Sequence, residues 1–132
     1  MTNIETIRQY CLSLPNTSED MAFGEDCLLL RVCDKIFACY IFGRDRDFVV
    51  KCDPDYALDL RDRYPEEIQP AWHWNKKYWN ELKLNGPLSE DFIKSLIRHS
   101  YSEVIRKLPK RTIANCPEMA AYIETQEPEM RL

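Results

Sequence analysis

Three apolar segments, Cys27–Val32, Ile36–Phe42 and Phe48–Lys51, follow one another with only three and then five residues between them. A parallel neighbour needs a crossover of about a dozen residues or more, so gaps this short permit only hairpins. The spacing therefore predicts an antiparallel meander, and every flanking segment must pack on that sheet or extend it.

The flanks read as follows. Thr2 and Glu5 match a capping box, and Ile4, Ile7, Cys11 and Leu14 recur at helical spacing until Pro15-Asn16. Asn16–Asp20 reads as a polar loop, and Met21-Ala22-Phe23-Gly24 as a segment lapping back onto the core. Asp53-Pro54 places a cap and a first-turn proline at the start of a second helix, which runs to about Tyr64 and buries Ala57, Leu58 and Tyr64. Glu66–Pro70 reads as a loop. Trp72-His73-Trp74 and Tyr78–Leu84 read as two strands joined at Asn75-Lys76-Lys77; in the second, Tyr78, Asn80, Leu82 and Leu84 oppose Trp79, Glu81 and Lys83. Ser89 caps a third helix, with Leu88 and Ile93 as a hydrophobic staple and an apolar stripe from Phe92 to Leu108 that Pro109 ends. Pro117–Thr125 reads as a short extra helix and Gln126–Leu132 as a frayed end. The predicted fold is α+β: a two-layer sandwich, order α-β-β-β-α-β-β-α, with an antiparallel sheet and its helices on one face.

The chain has 132 residues, enough for one domain with its own core. Its first residues lack a signal-peptide pattern and no apolar run reaches membrane-spanning length, so the expected location is the cytoplasm, with no membrane partner. The six cysteines, at 11, 27, 33, 39, 52 and 116, show no two-residue gap of a zinc or redox motif and read as reduced residues. A net charge of −4 is unevenly spread: residues 112–132 carry four glutamates against Arg131 alone, whereas Phe92–Arg111 holds six basic residues against Glu103. The total charge therefore does not exclude a basic face on an acidic protein.

All three tryptophans fall within Pro70–Asn80, beside His73 and the Lys76-Lys77 pair. This segment carries a resemblance. Tyr10-Cys11-Leu12-Ser13-Leu14-Pro15, Phe23-Gly24, Lys51-Cys52-Asp53-Pro54, His73-Trp74-Asn75-Lys76-Lys77-Tyr78-Trp79, Ser100-Tyr101 and Lys107-Leu108-Pro109-Lys110 together resemble the MmcQ/YjbR family of small bacterial proteins. Tyr78 stands where that family has a second histidine, and residues 112–132 extend past its usual end. The resemblance implies a domain over 1–111 followed by an acidic extension over 112–132. It also implies a CyaY-like, secretion-chaperone-like fold and a DNA-binding role through a double-wing likeness, with no established enzymatic activity.

DNA binding requires cations for phosphates and amide or planar groups near bases. His73, Asn75, Lys76 and Lys77 on a hairpin wing, with Lys107, Lys110 and Arg111 as phosphate partners, are the expected contacts. The opposing reading makes the tryptophans a plug between sheet and helices. A further alternative is a protein-interaction or self-association module presenting Trp72, Trp74 and Trp79 on an open sheet face. For catalysis, Cys52 at a helix start and His73 as a base are the candidates, but no spacing brings them together, and His99 reads as structural. Glu19-Asp20, Glu25-Asp26 and Glu66-Glu67 read as loop charges. No metal, cofactor or catalytic set is expected: with three glycines there is no phosphate loop, and the cysteines and two histidines lack ligand spacing.

Overall fold

A computed structural model of the chain describes residues 2–123. Its elements are α1 (Ile4–Ser13), β1 (Thr17–Asp20), β2 (Cys27–Val32), β3 (Lys35–Ile41), β4 (Phe48–Lys51), α2 (Pro54–Arg63), β5 (Ile68–Pro70), β6 (Trp79–Leu82), α3 (Glu90–Ile105), α4 (Lys110–Ala114) and α5 (Pro117–Ala120). The strands form one wholly antiparallel sheet in the order β1-β2-β3-β4-β6-β5. The meander and the α+β class are as the spacing predicts.

Several local expectations are corrected. The cap of α1 is Asn3, whose side chain accepts the Thr6 N–H at 2.9 Å; Thr2 is buried instead. Thr17–Asp20 and Ile68–Pro70 are strands, not loops, and they form the two edges of the sheet. Glu19 and Asp20 are accordingly strand residues, paired with Arg8 and Arg31. Trp72-His73-Trp74 is not a strand, because His73 sits in the left-handed region at φ 70° and breaks extended geometry. Leu58 is exposed, since α2 turns Tyr56, Ala57 and Leu60 inward. Tyr64 is only partly buried, against the core. Met21 and Phe23 are exposed rather than lapped onto the main core. The helix over α3 ends three residues before Leu108. The extra helix covers Pro117–Ala120; Thr125 and the frayed end expected at Gln126–Leu132 lie outside the described residues.

The main core lies between the sheet and the helices. Leu30, Val32, Phe37, Ala38, Phe48, Val50, Ile68 and Leu82 meet Ile7, Cys11, Ala57, Leu60, Ile93, Leu96, Ile97 and Tyr101. Truncating a fully buried aromatic such as Phe48 to alanine would cost about 3–5 kcal/mol. Met119 of α5 and Tyr122 join this core, with Tyr122 edge-on to Tyr101 at 5.5 Å.

Two backbone features shape the sheet where the site forms. Cys33 and Asp34 both take positive φ, 47° and 68°, giving the two-residue primed turn that matches strand twist. A bulge at Phe37 then shifts the register between Leu30 and Arg31, so Phe37 and Ala38 both reach the helix side. At that bulge Ser100 of α3 inserts its hydroxyl between two strands. It accepts the Lys51 N–H at 2.9 Å and donates to the Phe37 carbonyl at 2.5 Å.

Candidate functional site

Among the described residues no helix packs across the opposite sheet face. Alternation puts Leu29, Arg31, Ile36, Cys39, Val49, Lys51, Trp79 and Glu81 on it. What covers part of this face is the connection between β5 and β6. Residues 71–78 fold across it in successive turns, with the Asn75 carbonyl accepting the Tyr78 and Trp79 N–H groups at 3.0 Å each. Trp74 packs on Trp79 with ring centroids 4.6 Å apart, over a small second core of Leu29, Cys39, Val49 and Ala71. The tryptophans thus do not plug the sheet–helix interface. Phe23 approaches Trp74 at 6.3 Å, and Trp72, which is 56% exposed, stands edge-on to His73 at 5.3 Å.

Two anchors hold the loop. Glu81 is a buried carboxylate that accepts from Arg46 Nε at 2.8 Å, from Arg44 Nη2 at 3.2 Å, and from the Trp72 backbone N–H at 3.0 Å. From α2, Arg61 reaches the Lys76 carbonyl and binds the Asn80 side-chain oxygen at 2.6 Å. Burial holds the Arg61 guanidinium below its ordinary pKa. Asn75 Oδ1 accepts the Lys77 N–H at 3.1 Å, closing the tip as an Asx turn.

The cations gather around Tyr78. The ammonium groups of Lys107, Lys77 and Lys51 lie 5.3, 5.5 and 5.9 Å from its ring centroid, converging from α3's end, the loop and β4. Among the described residues none of the three forms an ion pair with a carboxylate. Glu103, whose charge acts on Lys51, is itself paired with Arg106 at 3.0 Å. Burial, and then the charge of Lys107, hold the Lys51 ammonium below the ordinary lysine range. Lys51 and Lys107 also line a cavity of about 440 Å³ with Arg31, Lys35, Trp74 and Trp79. Asp34 is the single acid at its rim, and Arg31 is already engaged with Asp20 at 2.6 Å. A second, wider groove of about 790 Å³ lies on the other side of Trp74. It is lined by Phe23, Phe42, Trp72 and Trp74, with Asp26, Arg44, His73 and Asn75 as its polar groups.

Of the residues expected at a DNA site, His73 and Asn75 line the wider groove, and Lys76 lies over Trp72 at 5.5 Å. Lys77 and Lys107 share Tyr78. Lys110 and Arg111 sit exposed on α4 and line neither cavity. Sequence reading missed Lys51, Lys35 and Arg31 as site residues. The signal was present for two of them: a charge in Leu28-Leu29-Leu30-Arg31-Val32 and one ending Phe48-Val49-Val50-Lys51 each fall on the alternation phase opposite the helix side.

The other chemical candidates are dispersed. Cys52 is buried in the helix-side core, whereas His73 lines the groove on the opposite face. His99 is buried on α3, with Nε2 accepting the Asp53 N–H at 3.1 Å. Cys39, in the wider groove, has its thiol pushed up to about 12, mainly by burial, and Cys27 is raised for the same reason.

The YjbR family model matches residues 12–103, which include both anchors, Lys51, Lys77 and Tyr78 and stop short of Lys107. The chain belongs to the YjbR family. It is 32% identical over 108 residues to the uncharacterized protein YbdF of Escherichia coli O157:H7, covering 81% of this chain and 88% of that one. Among solved structures it is similar to Deinococcus radiodurans protein DR2400, with its DUF419 domain, at a TM-score of 0.80 and 28% identity over 87% of this chain and 88% of the other. A Pseudomonas syringae protein, structural genomics target PsR293, also matches at a TM-score of 0.61 and 28% identity, over 74% and 95% of the two chains. This YjbR protein shares the α+β fold of those neighbours. Among its described residues no helix is long and apolar enough to cross a membrane.

Proposed function

We propose that this YjbR protein binds DNA through the uncovered sheet face, taking backbone phosphates on the lysines grouped around Tyr78. The observation that carries the reading is the convergence of Lys51, Lys77 and Lys107 on one ring without a carboxylate partner among the described residues. Three ammonium groups held together repel one another, and an anion relieves that repulsion. Lys35 widens the positive surface, and the half-buried tryptophans exclude water beside it, which strengthens each contact. Lys76, Lys110 and Arg111 serve as outlying phosphate contacts in this reading. It is a binding role without catalysis: burial raises both thiols in the groove, which disfavours the thiolate, and Cys52 and His73 lie on opposite faces.

The test is fluorescence anisotropy of a labelled, mixed-sequence DNA titrated at low and near-physiological salt. Saturable binding that weakens with salt is expected, and replacing all three lysines by alanine should flatten the logarithmic salt slope by roughly 2–3. Absence of binding at about 50 mM salt overturns the proposal.

A second reading has one observation in its favour. Phe23, Phe42 and Trp72 are 61%, 49% and 56% exposed around the wider groove, as the aromatic anchors of a protein interface would be. A concentration-dependent mass in light scattering that Trp72→Ala abolishes would support self-association through that groove.

A further inference from the structure

Resting on the DNA reading, we infer that the strand bound is single, and that one unpaired base enters the wider groove while its phosphate lies on the lysine cluster. The two cavities are not independent. Trp74 forms a wall of both, so a ligand with a planar apolar part and an anionic part would straddle that one indole. A nucleotide unit has this composition. The wider groove presents aromatic faces from Phe23, Trp72 and Trp74, and its volume of about 790 Å³ falls in the range of small-molecule sites. Its polar groups are of mixed kind: Asp26 accepts, Arg44 donates, and Asn75 and His73 do either, which suits the edge of a base better than a purely apolar partner.

Duplex DNA cannot supply this contact. Its bases are stacked and paired inside, so only an unpaired base presents a free face to the aromatic lining of the wider groove. The cations set the complement. Positive charge is concentrated on the Lys51–Lys107 side of Trp74, and aromatic surface on the Trp72 side. Trp72 is held at its backbone by Glu81 while its ring stays 56% exposed with the Lys76 ammonium 5.5 Å from its centroid, which is a platform fixed at its base with a cation beside it for the adjoining phosphate. Stacking on such platforms is tolerant of base identity, so little sequence preference follows.

The experiment compares three labelled DNAs of equal length at low salt: a single strand, its duplex, and a single strand with abasic sites replacing its central bases. The expected result is single-strand affinity roughly tenfold or more above both others, with Trp72→Ala lowering it to the abasic level and leaving the duplex unchanged. Because Trp72 is exposed, that variant should keep the parent's unfolding midpoint; Trp72→Phe should recover most of the lost affinity. Equal affinity for single strand and duplex, or for intact and abasic strands, overturns the inference while the DNA reading stands. Failure of all three to bind removes the DNA reading and the inference with it.

Discussion

Glu81 accepts the backbone N–H of Trp72 at 3.0 Å from the adjacent sheet face, tying the loop over that face to the strand beneath it. The same carboxylate is held by Arg44 and Arg46, so a buried charge, its counter-ions and an exposed aromatic form one unit. The loop-covered part of that face owes its shape to that unit, because among the described residues Glu81 is the acceptor that fixes the Trp72 N–H.

Glu81→Gln should therefore loosen the loop without emptying the core. Losing charge-assisted bonds to two arginines is expected to cost about 2 kcal/mol in urea unfolding. Tryptophan emission should shift to longer wavelength as the loop lifts. An unchanged spectrum would show that the indoles hold themselves down.

Tyr78 should act through its ring and not its hydroxyl. Tyr78→Phe is expected to leave DNA affinity unchanged, whereas Tyr78→Ala lets the lysines splay and weakens binding. Each exposed ring–ammonium contact is worth about 0.5–1 kcal/mol, so the alanine variant should also unfold at lower urea. A loss of binding in the phenylalanine variant would point to the hydroxyl.

Lys51 should set stability against binding. Burial and Lys107 depress its folded pKa, so at alkaline pH the folded state binds fewer protons than the unfolded one. Stability contributed by this group thus rises as pH increases through the folded value, and at neutral pH its charge opposes folding. Lys51→Met is expected to raise stability by about 0.5–1 kcal/mol while weakening DNA binding. A destabilised variant would mean that the ammonium's contact with the Tyr78 ring outweighs the cost of its burial.

Acid sensitivity should be traceable to Glu19. Arg8 Nε binds Glu19 Oε2 at 2.6 Å and Nη2 binds the other oxygen, and this bond, opposed by burial, holds the carboxyl below the ordinary glutamate value. The unfolded chain therefore takes up the proton first. The stabilisation is complete above the ordinary value and disappears as pH falls through the folded one. Urea unfolding should show Glu19→Gln weaker than the parent at pH 7 and equal to it at strongly acid pH; a pH-independent difference would refute the assignment.

The parts of the fold that alternation and capping govern were legible. β2, β3 and β4, the Asp53 and Ser89 caps and the split of Trp79 and Glu81 from Asn80 and Leu82 all follow from local rules. Both missed strands are edges. Thr17-Ser18-Glu19-Asp20 is polar and charged, and Ile68-Gln69-Pro70 ends in proline, the features by which edges avoid further pairing, so their sequences resemble loops. The Trp72–Trp74 turn was misread because aromatic residues favour strands in general, while the bond from Trp72 to Glu81 and the left-handed His73 are set by tertiary context. Lys77 and Lys107 were legible as cations; that Lys51 would meet them at Tyr78 depends on sheet order, which local pattern does not contain.

The Ser100 hydroxyl between Lys51 and Phe37 has a consequence for exchange with solvent. Neighbouring strand amides are protected by other strands, but the Lys51 amide is protected by a side chain carried on α3. Its deuterium uptake should follow the undocking of that helix and not the fraying of the sheet. One amide beside the lysine cluster thus keeps time for an element on the far side of the molecule.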